Sequence, residues 1–337
     1  MKFEPIQLED VDWSLINRGD NVFQTLPWLE HLRQSRNLEP VILSIQSDEG
    51  LQGYFVGMMA HLFGFRILGS PFRGWNTYFM GFHVCPGASR KRFLQDFPSY
   101  AFAELKCDYL EIIDLQIAPD DVNQVDYHLE QLPWFAVDLS PAEDDIFASF
   151  TGPCRTAIRK ALKSGVTIEE TACCSFAEEY EAQSQEVFAR KRLKPVYQLE
   201  DVQSVIEHLH PTGDLMLLQA KNPEGQCIAT QIFLSHNQVG IYWGGASRYE
   251  FQHLRPNDLL MWTAMRRLKA QGVQQLHLGA TAEEFKKKFG AFPPPIYRLR
   301  KARNAPLDAL FSLCSSVRNE TLKNRLLFAL SSWSKKS

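Results

Sequence analysis

Residues 214–278 constrain the fold more tightly than any other stretch. Three apolar segments, Asp214 to Ala220, Gln226 to Ser235 and Gln238 to Gly244, are separated by the short turns NPEG (222–225) and His236-Asn237. Strands joined so closely lie antiparallel, as a meander. A long helical pattern follows from Pro256 to Gln271, stopped by Gly272 where a C′ glycine belongs. Gln274 to Leu278 then reads as another strand. Helices, a meander, then a helix crossing to a further strand predict an α/β fold with a mixed sheet.

The first half has the same loose order of elements. A helix at Pro27 to Arg36 is followed by strands at Val41 to Gln46, Leu51 to His61 and Phe65 to Ser70. Ser70 to Gly81 is aromatic and turn-like. Ser89 to Lys106 fits a helix, and Asp108 to Leu115 and Trp134 to Leu139 fit strands. The acidic, cap-rich SPAEDD at 140–145 opens a new series of helices, so the domain boundary is expected there. The expected division is 1–140, 141–303 and a helical tail at 304–337. No sequence repeat links the halves; duplication is inferred from element order alone.

Composition narrows the classes. A chain of 337 residues, 45% hydrophobic and 22% charged, suits two globular domains. A net charge of -3 supplies no general attraction to DNA. No basic-then-apolar leader opens the sequence, and no run reaches the ~18 apolar residues of a membrane span. A cytoplasmic protein is expected. The tail places Leu310, Phe311, Cys314, Val317, Leu326, Leu327 and Leu330 among basic residues. It reads as an amphipathic pair docked on the body or, in a sharper version, as a peripheral membrane contact. The seven cysteines include the adjacent pair Cys173-Cys174 but no CxxC, so reduced thiols and no metal are expected. His208 and His210 have no third ligand at recognisable spacing.

Three segments carry candidate chemistry. In YWGGASRYEFQHLRPNDLL (242–260) a strand ends at Gly244 and Gly245, and Pro256 opens the long helix. Free amides at such a helix start favour phosphate or carboxylate. Gly244, Gly245, Arg255 and Asn257 are the candidate donor-binding residues, and Glu250, His253 and Asp258 the nearest candidate bases. Tyr242 is a candidate acid for a leaving thiolate. In EEFKKKFGAF (283–292) one helical turn cannot aim three lysines inward, but one of them could face a cleft and meet a developing oxyanion. Arg155, Arg159 and Lys163 recur on one helix face, either solvated or the rim of an anion site, with Arg190 to Lys194 adding to it. Serine-hydrolase elbows and Walker loops are absent.

In order, FQTLPWLEHL (23–32), RTAIRKALKSGVTIEE (155–170), CIATQIFL (227–234), IYWGGAS (241–247), RPNDLLMWTAMRRLKAQGVQQLHLGA (255–280) and FKKKFGAF (285–292) resemble the FemA/FemB-related branch of the GNAT superfamily. That branch includes its BioF-associated and cellulose-synthesis-associated acetyltransferase-like members. The resemblance implies two tandem GNAT-like domains, each a mixed, mainly antiparallel sheet flanked by helices. It implies transfer of an acyl or aminoacyl group to an amine. It puts Lys286 at the site, Tyr242 and Trp243 on the strand lining the cleft, and Asn257 and Asp258 at the helix start. The Gln/Arg- and Gly-rich pyrophosphate loop of ordinary GNAT enzymes is not evident. Peptidoglycan-bridge relatives use aminoacyl-tRNA and carry a coiled-coil insertion, which this sequence lacks.

The primary expectation is therefore an N-acyltransferase using acyl-coenzyme A, such as acetyl-coenzyme A, on an amine-bearing small molecule or sugar in envelope or polysaccharide biosynthesis. The alternatives are an aminoacyl-tRNA-dependent transferase and a non-catalytic member of an envelope-synthesis complex.

Overall fold

The computed structural model describes residues 1–62, 64–171, 175–190 and 192–316, with side chains to 313. Cys173, Cys174, Lys191, the Cys314 side chain and tail residues 317–337 lie outside the described residues. Along the chain run β1 (Lys2–Pro5), α1 (Trp13–Ile16), α2 (Leu26–Arg36), β2 (Glu39–Ser47), β3 (Gly50–Leu62), β4 (Phe65–Ser70), β5 (Gly81–Val84), α3 (Arg90–Ala103), β6 (Tyr109–Ile113), β7 (His128–Leu132) and β8 (Phe135–Asp138). There follow α4 (Glu143–Ser149), α5 (Gly152–Lys163), β9 (Thr167–Glu170), α6 (Ser175–Arg190), α7 (Leu199–Leu209), β10 (Leu215–Lys221), β11 (Cys227–His236) and β12 (Val239–Ser247). The last are α8 (Pro256–Ala270), β13 (Gln275–Gly279), α9 (Glu283–Lys287), β14 (Ile296–Ala302) and α10 (Ala305–Ser316).

The chain forms two compact units. The first takes Met1–Ile16, Arg36–Leu132 and the chain from Pro295; the second takes Asn17–Ser35 and Pro133–Pro294. This division is not the linear one expected near residue 140. The segment carrying α2 belongs with the second unit. β8 pairs with β13, and β14 leaves the second unit to pair with β6 and β7. Each strand goes where a ladder edge is open to it, which composition along the chain does not reveal.

In the first unit the strand order is β1-β2-β3-β4-β6-β14-β7, with β5 on β3. Only β4 and β6 are parallel, joined across α3. β3 is 13 residues long, so Met58–Leu62 pairs with β4 while Gly53–Val56 still has an edge for β5. That explains why the short strand GFHV hides in a turn-like sequence. β1 and β7 also escape sequence patterning. β1 buries only Phe3, and β7 is a mostly exposed edge strand. α3 is capped by Ser89 Oγ, which accepts from Arg92 N, and it buries Phe93, Leu94, Phe97 and Ala101. α10 packs Leu307, Leu310 and Phe311 beside Tyr109, with Phe311 stacked on the Tyr109 ring at 4.1 Å.

In the second unit the order is β8-β13-β12-β11-β10-β9. The expected meander, β10 to β12, is antiparallel throughout, and β12–β13 is the sheet's one parallel pair among the described residues. α8 supplies the crossover, burying Leu259, Leu260, Met261, Ala264, Met265 and Leu268. Gly272 takes φ +93° just past its end, as a C′ glycine should. α5 packs beside α8, while α6 lies against β11 and β12.

Among the described residues no helix is long and apolar enough to cross a membrane. No cluster of three His, Cys, Asp or Glu side chains suits a metal among them. His208 instead bonds the Ser204 carbonyl on its own helix at 2.8 Å.

Leu260 is 0% exposed and Leu162 is 58% exposed. Leu260→Ala is expected to destabilise by about 2–5 kcal/mol, and Leu162→Ala to change stability by under about 0.5 kcal/mol, in urea unfolding.

Candidate active site

The second unit's sheet is interrupted at one place. Phe233 pairs with Tyr242 and Ile232 with Gly244, so Trp243 is an extra residue in β12, a bulge. β12 and β13 pair only over Val239–Ile241 and Gln275–His277. Beyond that point β12 continues to Ser247 on β11 alone, and β13 continues to Gly279 on β8. A bulge bends its strand and ends pairing locally. The result is a fork in the sheet, with the polar edge of β12 from Trp243 onward unpaired by β13.

Trp243 turns to one face. Its ring is 2% exposed, stacks on Tyr197 at 3.9 Å and meets the Trp28 edge at 6.1 Å. Tyr197 Oη donates to the Trp243 carbonyl at 2.5 Å. Trp243, expected as a substrate contact, is therefore a buried wedge that fixes the bulge. Tyr242 turns to the other face, against Phe233 and the core under α8.

Gly245 is exposed although the residues on both sides of it are buried. A Cβ there would lie 2.2 Å from Tyr242 Oη and 3.1 Å from Gln231 Cγ. The glycine thus leaves an exposed stretch of β12 backbone, with the Tyr242 hydroxyl and the Gln231 methylenes packed where a side chain would lie. A Cβ on Gly244 would sit 2.7 Å from Tyr180 Oη. Both glycines are required by close approach, on opposite faces of the strand.

α8 starts beside this exposed stretch. Asn257 Nδ2 donates to Ser247 Oγ at 3.0 Å, and Gln231 Nε2 to the Asn257 carbonyl at 3.4 Å. Arg255, at φ +60°, holds the left-handed turn before the buried Pro256. Asp258 accepts from Lys288 Nζ at 2.6 Å. That ion pair ties the first turn of α8 to the end of α9, so Asp258 is already engaged in holding two elements together. Cys154 Sγ lies 3.9 Å from the same carboxylate, and burial, then the Asp258 charge, pushes the thiol up to about 12.

The three lysines of α9 separate sharply. Lys287 is exposed and paired with Glu283. Lys288 holds Asp258. Lys286 is 3% exposed, with its Nζ 5.9 Å from the centre of the Phe135 ring. Neither an ion pair nor a hydrogen bond to its ammonium is present among the described residues. Burial lowers its pKa to about 8.

The structure thus brings Tyr242 and Gly245 beside Gln231, which joins them to Asn257 and Ser247, and it ties the neighbouring Asp258 to Lys288. Gly244 faces Tyr180 on the other side of the strand, and Lys286 lies on α9 against Phe135. Four other candidates lie elsewhere. Glu250 and His253 are exposed in a 3-10 turn, where His253 Nδ1 bonds the Glu250 carbonyl at 2.8 Å. Arg155 Nη1 donates to the carbonyls of Ala148 (2.7 Å) and Phe150, joining α4 to α5. Arg159 is exposed, 5.5 Å from the Phe147 ring centre. Arg190, from the next basic cluster, lies over the Tyr249 ring. Arg255 is exposed at the start of α8.

Residues 149–287 match the family model for the acetyltransferase (GNAT) domain. This segment, less than half of the chain, is similar to a GNAT domain. It holds the fork, the exposed backbone at Gly245 and Lys286. No curated protein matches the chain in sequence. Among solved structures, FemX is similar at 16% identity, with TM-score 0.73 over 92% of this chain and 99% of that one. The L-PGS structure from Bacillus licheniformis is similar at 14% identity, TM-score 0.56, over 96% and 98%. A tandem GNAT protein from the clavulanic acid biosynthesis pathway is similar at 10% identity, TM-score 0.52, over 90% and 99%. The fold is therefore shared with FemX and with the tandem GNAT protein.

Sequence reasoning passed over three residues of the fork. Gln231 had a signal, a lone amide inside the apolar strand CIATQIFL. His277 closes the β12–β13 pairing and accepts from Trp134 Nε1 at 3.0 Å, and burial lowers its pKa to about 4. Its place and that of Tyr197 follow from the bulge, which has no sequence mark.

A lysine whose folded pKa falls from 10.5 to about 8 binds fewer protons folded than unfolded between those values. Its effect on stability is therefore least favourable below pH 8 and recovers as pH rises toward 10.5. Relative to Lys286→Met, the wild-type protein should gain on the order of 3 kcal/mol between pH 7.5 and 10.5 in urea unfolding. A pH-independent difference would mean that the amine is not desolvated.

Proposed function

We propose that the GNAT-like segment transfers an acyl group from acyl-coenzyme A to an amine-bearing small molecule or sugar, with the reaction at the fork of β12 and β13. The observation that carries this reading is the exposed backbone at Gly245, on the part of β12 that β13 leaves unpaired and that Ser247 ties to the start of α8. An extended arm with its own amides suits such an edge, and phosphates suit helix-start amides with the Arg255 guanidinium nearby. Tyr242, Gly244, Gly245, Asn257 and Arg255 are the residues that would hold the donor.

The thioester supplies an activated carbonyl. The amine adds to it, the carbonyl oxygen gains negative charge, and the thiolate leaves as the new amide forms. An ammonium held in a dry pocket at Lys286 would stabilise that charge as it develops. A lysine with a pKa near 8 also exchanges a proton at working pH, so it could give one to the departing sulfur and regain one from the nitrogen that becomes the amide, leaving amide and thiol as products. Asp258 acts through Lys288, placing α9, and so is a positioning residue in this scheme. Envelope or polysaccharide biosynthesis is the setting we propose for such an acceptor.

A second reading, aminoacyl-tRNA as donor, is favoured by two features. The connection from Arg248 to Arg255 contains no glycine, so it makes no close phosphate turn. The α5 helix exposes Arg159, Lys160 and Lys163 and contains no acidic residue.

Acetyl-coenzyme A and longer acyl-coenzyme A donors should raise the melting temperature, consistent with about 2.7 kcal/mol of stabilisation at a hundredfold excess over Kd. Lys286→Ala should keep donor binding and lose roughly a hundredfold or more in kcat. If no acyl donor shifts melting while tRNA binds with steep salt dependence, the second reading replaces the first.

A further inference from the structure

The second unit begins at Asn17, and its first residues are bonded to the turn between β11 and β12. Asn237 Nδ2 donates to the carbonyls of Asn17 at 2.9 Å and Gly19 at 2.6 Å, and the Gln238 amide donates to Asp20 Oδ1 at 3.1 Å. His236 completes the attachment from the end of β11. Its Nδ1 lies 3.0 Å from Asp214 Oδ1, and its Nε2 lies 3.1 Å from the Asn17 carbonyl. Thr212 Oγ1 donates to the second oxygen of Asp214 at 2.9 Å, which holds the carboxylate in place. A carboxylate and a peptide carbonyl only accept hydrogen bonds, and a neutral imidazole has only one N–H to give. Turning the ring over would set carbon atoms against both oxygens, so reassignment does not remove the mismatch. Both bonds form only when both ring nitrogens carry a proton.

We infer that His236 is held as an imidazolium and is the bolt of a proton-dependent latch, which pins residues 17–20 to the β11–β12 turn when charged and slackens when neutral. The charged groups facing the ring are both acidic: Asp214 from just before β10, and Asp20 from the pinned segment. The turn itself adds only the neutral Asn237 and Gln238, and Arg18 is exposed. The His236 side chain is 13% exposed. Burial works against the charge, but the Asp214 bond and charge, the Asn17 carbonyl and Asp20 outweigh it and raise the pKa above the ordinary 6.5. With a raised folded pKa, the contribution of the latch is complete below pH 6.5 and is lost as pH rises through the folded value. In the neutral ring one nitrogen turns a lone pair toward an oxygen, and that bond becomes a repulsion. The pinned residues lead into the segment that carries Trp28, whose edge meets the Trp243 wedge, so the latch fixes the near end of the chain that backs the bulge. It stands apart from the choice of acyl donor.

The test treats the full chain with trypsin from about pH 6 to about pH 9 and follows cleavage after Arg18 by mass spectrometry, beside His236→Gln, which is neutral throughout. The protease's own pH dependence cancels in the comparison. Cleavage in the variant should be about tenfold faster than in wild type at the acid end, and the two rates should converge as His236 loses its proton. Asp214→Asn, which keeps the shape of the side chain but not its charge, should move the convergence to lower pH. Nitrogen-15 spectra of the wild-type imidazole should show a proton on both ring nitrogens at the acid end. Equal cleavage rates at every pH, a convergence that Asp214→Asn leaves in place, or a ring with a single N–H at the acid end would each overturn the inference. If His236→Gln fails to fold, the wild-type spectra and the cleavage of Asp214→Asn against wild type decide the matter in the same way.

Discussion

The second unit's chemistry depends on one extra residue. Without Trp243 as a bulge, β12 and β13 would pair along their length, and the sheet would present a continuous ladder with no polar edge to offer. The bulge is stabilised from outside the ladder. Tyr197 closes the displaced carbonyl and stacks on the indole, and Trp28 packs edge-on to the same ring. A local defect in hydrogen bonding is thereby offset by aromatic burial on one face, while the backbone at Gly245 stays exposed. Glycine at 244 and 245 follows from this geometry, since each face has a phenol close to the position a side chain would take.

The electrostatics at the mouth of α8 divide two roles between neighbouring lysines. Lys288 and Asp258 neutralise one another and join α9 to α8. Lys286, on the same short helix, is kept from any carboxylate and held against Phe135. An amine so placed has a strong preference for an incoming negative charge, because no protein group satisfies that preference first. The division depends on helix geometry: positions 286 and 288 differ by about 200° around the axis and cannot share a direction.

Much of the fold was legible in the sequence. The meander, the crossover helix and its glycine stop were marked by periodicity and turn chemistry, which are local properties. That at most one of the three lysines turns inward was legible for a related reason, helix geometry, while Lys286 as that one was implied by the family resemblance. What stayed hidden was non-local. The GGAS stretch pointed to a close backbone approach but not to a bulge one residue earlier, so Trp243 read as a cleft residue when it is the wedge that makes the cleft. Arg155 read as an anion contact because its two carbonyl partners lie on the preceding helix. Glu250 and His253 were near in sequence to α8 but sit on the solvent side of a 3-10 turn. Gln231 was visible as an oddity and was passed over, because an amide in an apolar strand is informative only once its partner at Asn257 is seen.

The exchange of strands between the units has a consequence for how this protein can be made and divided. The chain passes from one unit to the other after Ile16, Ser35, Leu132 and Pro294. Isolating residues 141–303 removes β8 from beside β13 and α2 from beside Trp243, and it carries β14 away from β6. Each fragment then bears a bare ladder edge lined with apolar side chains, the usual template for intermolecular pairing. Trimming the chain at its midpoint therefore yields sticky fragments rather than a smaller working protein, and the two units are best produced as one uncut polypeptide.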